Sequence, residues 1–122
     1  MAKTFLILGS LSGFLAVAFG AFGAHGLKES VSASALENFK TGAQYQMFHA
    51  LALLATGILL QSSNRSAWIT AGWCFAVGTV IFSGCLYLLV LTGQRWLGAV
   101  VPIGGTALLL GWICLAWGSF RN

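Results

Sequence analysis

The chain has 122 residues, of which 58% are hydrophobic and 7% charged, against about 25% charged in an ordinary soluble domain. So much apolar surface excludes a soluble fold. The formal net charge of +4 comes from six basic residues scattered singly, which make no patch able to track a phosphate backbone; anionic membrane lipids, not nucleic acid, are the expected counter-charge.

The charged side chains Lys3, Lys28, Glu29, Glu37, Lys40, Arg65, Arg95 and Arg121 fall at chain ends or between apolar runs. A spanning helix needs about 20 predominantly apolar residues, and four runs qualify: residues 4–25, 44–61, 67–92 and 96–120. The predicted fold is therefore all-α, an integral membrane four-helix bundle with antiparallel up-down topology, formed as a single transmembrane domain over residues 1–122. The first run stands behind Lys3 and has the outline of a signal sequence; it is read as a retained span. Between the first two runs, Ser34-Ala35-Leu36-Glu37 has the pattern of a capping box, a hydroxyl followed three residues later by a carboxylate. Leu36, Phe39 and Ala43 share one face after it, so residues 34–43 are expected to form a short interfacial helix before the chain turns inward. Residues 62–66 and 92–95 leave room only for tight turns, which makes neighbouring helices antiparallel.

Each run carries a stripe of small or polar residues at alternating three- and four-residue spacing, which lines one helix face. The stripes are Gly9, Gly13, Ala16, Gly20 and Gly23; Tyr45, His49, Ala52 and Thr56; Gly72, Ala76, Thr79, Ser83 and Tyr87; and Gly104, Ala107, Gly111, Cys114 and Gly118. In lipid, helices associate through close backbone approach and interhelical hydrogen bonds, so these stripes are expected to face inward. The opposite faces carry bulk, Ile7, Leu11, Phe14, Ala18 and Phe22 in the first run and Met47, Leu51, Leu54 and Ile58 in the second. Cys74, Cys85 and Cys114 lack metal-ligand spacing and read as packing residues. Trp68 and Trp117 at one interface, and Trp96 at the other, are expected belt residues. Basic residues divide evenly across the membrane, three on each side. The free amino terminus and the two acids of the first loop favour cytoplasmic termini.

Ionisable groups inside spans are costly and are functional candidates by default. No carboxylate lies in any span, which argues against a proton-coupled antiporter working through an intramembrane acid. His25 and His49 remain. Counted from residue 44 at ~1.5 Å per residue, His49 falls roughly 7 Å inside the first-loop side, level with Tyr87. His25, Tyr45, Gln46, Ser83 and Pro102 belong to the same half, and His25, Tyr45, His49 and Tyr87 are expected to converge there. One reading of this cluster is structural, with His49 bonding Tyr87 or a backbone carbonyl and His25 at a helix end facing headgroups. Another is a ligand pocket for a lipid head, quinone or small solute. A third is haem held by the two histidines. Apart from haem no cofactor is indicated, and no metal site. Pro102 removes a helical hydrogen bond and collides with the carbonyl of Gly98, so a kink or local unwinding is expected there. Paired catalytic carboxylates, a phosphate loop and a serine triad are all missing, so no enzyme activity is expected.

Several segments carry a joint pattern. These are Gly20-Ala21-Phe22-Gly23-Ala24-His25-Gly26-Leu27; Tyr45-Gln46-Met47-Phe48-His49-Ala50-Leu51-Ala52-Leu53-Leu54; Phe82-Ser83-Gly84 with Leu86-Tyr87 and Leu91-Thr92-Gly93; and Pro102-Ile103-Gly104-Gly105 with Gly111-Trp112. Together they resemble the bacterial membrane family known as domain of unknown function 423, itself distantly similar to a small four-span transmembrane protein of animal cells. Cys85 departs from the pattern, standing where a small serine-like residue is expected. The resemblance implies a small four-helix protein of the bacterial inner membrane and says almost nothing about activity. The expected role is that of a non-catalytic homo-oligomer or an accessory subunit of a larger membrane complex. The alternative is a binder or carrier of a small amphipathic molecule.

Overall fold

In a computed structural model, which describes residues 1–121, four helices are long and apolar enough to cross a membrane: α1 (Ala2–Leu27), α2 (Ala33–Ser62), α3 (Ser66–Thr92) and α4 (Leu97–Phe120). The helices run antiparallel in chain order, as expected from the short turns. Gly9 of α1 lies against Ala50 of α2 while Gly23 lies against Phe39.

Helix α2 begins earlier than hydropathy suggests. Its N-cap is Ser32, whose hydroxyl accepts the Ala35 N–H at 3.1 Å, so the Ser34–Glu37 capping box does not form. Residues 34–43 are the first turns of α2 and not a separate interfacial helix. Glu37, Asn38 and Lys40 make this stretch polar without breaking its backbone hydrogen bonds. The other boundaries follow the runs closely. Gly93 ends α3 in the left-handed conformation, φ 73°, which only glycine adopts without strain. Arg65 caps the far end of α4, its guanidinium donating to the carbonyls of Gly118 and Arg121. Helix α4 continues through Pro102 without unwinding, because the proline lies in the second turn and removes only one ladder bond. Helix α1 holds an unforeseen feature, a π-helical stretch at Ala18–Gly23 in which the Ala24 N–H reaches back to Phe19. The wider turn rotates the small stripe, so Ala24 is buried while Gly20 is exposed.

Packing depends on missing side chains. A Cβ on Gly9 would stand 2.9 Å from the Ala50 carbonyl oxygen, and one on Gly57 would stand 2.9 Å from Leu6. Helices α3 and α4 share the largest interface, a seam in which Gly78 receives Leu108, Gly104 receives the Phe82 backbone, Gly111 receives Phe75 and Gly118 receives Trp68. Phe5, wholly buried, reaches from α1 across to α3, where its ring fills the space over Gly72. Helix α2 is the hub: 50% of its spanning stretch is buried, against 17% for α1 and for α4. Trp117 and Trp96 are exposed as belt residues should be, whereas Trp68 is buried and donates its indole N–H to Ser119 at 3.2 Å.

Candidate functional site

The earlier start of α2 moves His49 deeper. It lies sixteen residues from Ala33 and thirteen from Ser62, or ~24 and ~20 Å from the two ends at ~1.5 Å per residue, near the middle of the helix and not close to the first loop. The expected cluster is thereby divided between two faces of α2.

On one face, His49 is held from both sides. Its Nδ1 lies 2.7 Å from the Tyr45 carbonyl, and its Nε2 lies 3.0 Å from the Trp112 indole nitrogen of α4. A carbonyl only accepts and an indole N–H only donates, so the ring is neutral with its proton on Nδ1. Tyr45 stacks on the imidazole at a centroid distance of 6.4 Å, and Phe75 and Trp112 close around it at 5.7 and 5.8 Å. Tyr45, His49 and Pro102 line a groove of about 380 Å³ between α2 and α4, with Phe82, Thr106 and Trp112.

On the other face, buried Gln46 ties three helices together. Its amide donates to the Ser12 carbonyl at 3.1 Å and to the Ser12 hydroxyl at 3.4 Å, both on α1, and its carbonyl accepts the Tyr87 hydroxyl of α3 at 2.6 Å. Ser83 donates to the Gly42 carbonyl at 2.7 Å, joining α3 to α2. The Tyr87 ring packs on Phe19 and Phe39 at 5.0 and 4.9 Å. Gln46, Ser83 and Tyr87 thus border a second groove, between α1 and α3.

His25 joins neither group. It is exposed at the end of α1, twelve residues beyond Gly13, which packs at Ala50; that is roughly 18 Å along the axis. Nor do His49 and Tyr87 bond, since His49 of α2 is turned to Trp112 of α4 while Tyr87 of α3 meets Gln46 on the other face of α2. The haem reading fails on the same geometry, because the two histidines stand far apart and both His49 nitrogens are engaged. Ser12 and Trp112 escape the sequence reading. Trp112 had a legible signal, since an indole N–H inside a span needs an acceptor and His49 is among the few side chains that supply one at depth. Ser12 had none, lying beside the small stripe of α1 in an otherwise apolar run.

Residues 19–105 match the family described as "Protein of unknown function (DUF423)". The chain is 45% identical to a UPF0382 membrane protein of Staphylococcus saprophyticus over 98% of both chains. It is 43% identical to one of Haemophilus influenzae over 100% of this chain and 98% of that one. This chain belongs to that family. The UPF0382 membrane protein YwdK of Bacillus subtilis is 44% identical over 93% of each. No solved structure matches. The family match takes in Gln46, His49, Ser83, Tyr87 and Pro102 but begins after Ser12 and ends before Trp112, so each of the two polar ties has one end outside it.

Proposed function

We propose that this chain is a non-catalytic component of the bacterial inner membrane, working as an oligomer of itself or as an accessory subunit of a larger membrane complex. The observation that carries the reading is where the polar side chains direct their hydrogen bonds. Gln46, His49, Ser83 and Tyr87 bond to backbone or side chains of the bundle, and no carboxylate stands with them to act as acid or base. Such groups fix helix positions. Almost all the chain is membrane-embedded packing surface, and the outer faces of α1 and α4 carry large apolar side chains such as Phe14, Ile103 and Leu109. Purification in mild detergent followed by native mass spectrometry tests the reading. Additional copies or a stoichiometric protein partner are expected; a monomer carrying a stoichiometric small molecule would overturn it.

The α2–α4 groove favours a second reading, a binder of a small amphipathic molecule such as a lipid head, quinone or small solute. Tyr45 is 41% exposed on its wall, with no partner for its hydroxyl among the described residues. We also place both termini in the cytoplasm, on the free amino terminus and the acids of the first loop. An alkaline phosphatase fusion at the carboxyl terminus is expected to be inactive, and an active one reverses the orientation.

A further inference from the structure

The groove between α1 and α3 is a window in the side of the bundle with a volume of about 380 Å³. It is closed at one end by Phe5 seated on Gly72 and at the other by the Phe19–Tyr87 ring pair. Its walls are largely apolar, with Leu8 and Leu15 of α1, Leu53 of α2 and Val80 of α3 among the lining side chains. No charged side chain lines it. Because both ends are bridged, the window cannot seat a helix running the thickness of the membrane, and it admits only an occupant arriving sideways from the bilayer core.

Two hydroxyls on its lining are unusual in this chain. Thr41, Thr56, Thr70, Thr92 and Thr106 each donate to the carbonyl four residues back, the habitual solution for a helical threonine. Thr79 does not. It is only 8% exposed, and its Oγ1 is the one buried side-chain polar atom among the described residues without a partner. Ser12 receives the Gln46 amide but donates to nothing among the described residues, unlike Ser10, Ser83 and Ser119. A buried donor with no acceptor is costly in an apolar medium. Thr79 lines the window, so its unpartnered hydroxyl stands beside the space an occupant would fill.

We propose that this window is a lateral binding site for a small uncharged molecule with an apolar body and a carbonyl oxygen, held by hydrogen bonds donated by Thr79 and Ser12. Two unused donors call for an acceptor, and the apolar, uncharged walls call for a neutral body. A volume near 380 Å³ lies at the small end of ordinary ligand pockets. The site is separate from the α2–α4 groove and does not depend on the packing role proposed above.

The matched probes are 2-nonanone and nonane, which differ essentially by the carbonyl, added at equal mole fraction to the full chain in detergent, with the melting midpoint followed as each is titrated. In the unaltered protein the ketone is expected to raise the midpoint more than the alkane does. Thr79→Val keeps the shape and removes the donor, so it should weaken the ketone about threefold, the effect of one typical membrane hydrogen bond, and leave nonane unchanged. Gly84 also borders the window, and a Cβ there meets nothing within 4 Å. Gly84→Leu should therefore fold normally yet abolish the response to both probes. Equal shifts with ketone and alkane, an unaltered ketone preference in Thr79→Val, or a full response in Gly84→Leu would each overturn the proposal.

Discussion

Replacing Gln46 by leucine tests the view that one amide locks three helices. Leucine is close to glutamine in size, so the exchange opens no large cavity and isolates the hydrogen bonds. Gln46 is 6% exposed and donates to Ser12 while accepting from Tyr87. Hydrogen bonds between membrane helices average about 0.6 kcal/mol, with a ceiling near 1.7. The 2.6 Å bond from Tyr87 belongs in the upper part of that range and the pair to Ser12 near its mean. The loss for Gln46→Leu is then about 2 kcal/mol. Titrating the protein in dodecylmaltoside with sodium dodecyl sulfate, with helicity followed by circular dichroism, would report it as an earlier unfolding midpoint. Tyr87→Phe removes one of the bonds, and in a double-mutant cycle with Gln46→Leu the pair should couple by about 1 kcal/mol. If Gln46→Leu unfolds with the unaltered protein, or if the two changes simply add, the three-helix lock is wrong.

The glycine seam makes a contrasting prediction. Gly104→Ala places a methyl against the Phe82 backbone, where the nearest Cα would be 2.8 Å away, and should destabilise by about 3 kcal/mol. Gly98→Ala, where a Cβ meets nothing within 4 Å, should be neutral or stabilise by up to about 1 kcal/mol; the same detergent titration ranks them. Nitrogen-15 spectra of labelled histidine should show His49 unprotonated at Nε2, and Trp112→Phe should shift that resonance; a protonated Nε2 would refute the assigned bond. Arg65→Ala removes the donor to the Gly118 and Arg121 carbonyls and should speed amide hydrogen exchange in the last turn of α4, leaving its centre protected. Uniform exchange along α4 would show that Arg65 does not cap it.

How much was legible depended on which force decided each feature. The four spans follow from burying apolar residues in lipid, a property of composition over a window, and α3 ends at Thr92, just before Gly93. The inward stripes follow in part from spacing: Gly9, Gly104 and Gly111 are buried as read, whereas Gly20 and Tyr45 of the same stripes are exposed and Gly13 is half-buried. The start of α2 was misplaced because hydropathy marks where a helix meets hydrocarbon and not where its hydrogen bonds begin. Glu37, Asn38 and Lys40 are as helical as Leu53. That error carried into the depth of His49. The π turn in α1 left no signal, since Ala18–Gly23 consists only of Ala, Phe and Gly. The division of the polar cluster was beyond reach for another reason. Tyr45, Gln46 and His49 occupy one turn of α2, and which of them meets α1, α3 or α4 depends on how each neighbour is rotated about its own axis.

That rotation shows how the two kinds of contact divide the work in this bundle. Close approach at glycine sets the distance between consecutive helices, but a smooth seam of small residues resists sliding and turning only weakly, because dispersion changes little when one methyl replaces another. A hydrogen bond is directional and is lost within an ångström of displacement. The bonds from Gln46 to Ser12, from Tyr87 to Gln46 and from Trp112 to His49 join α1, α3 and α4 to the central helix α2. Together they select one rotation for each helix among those the glycines would tolerate. By that selection the same bonds place the two grooves on opposite faces of α2 and leave Thr79 beside an opening with no partner. The unmet hydroxyl follows from an arrangement in which the neighbouring polar groups had already found theirs.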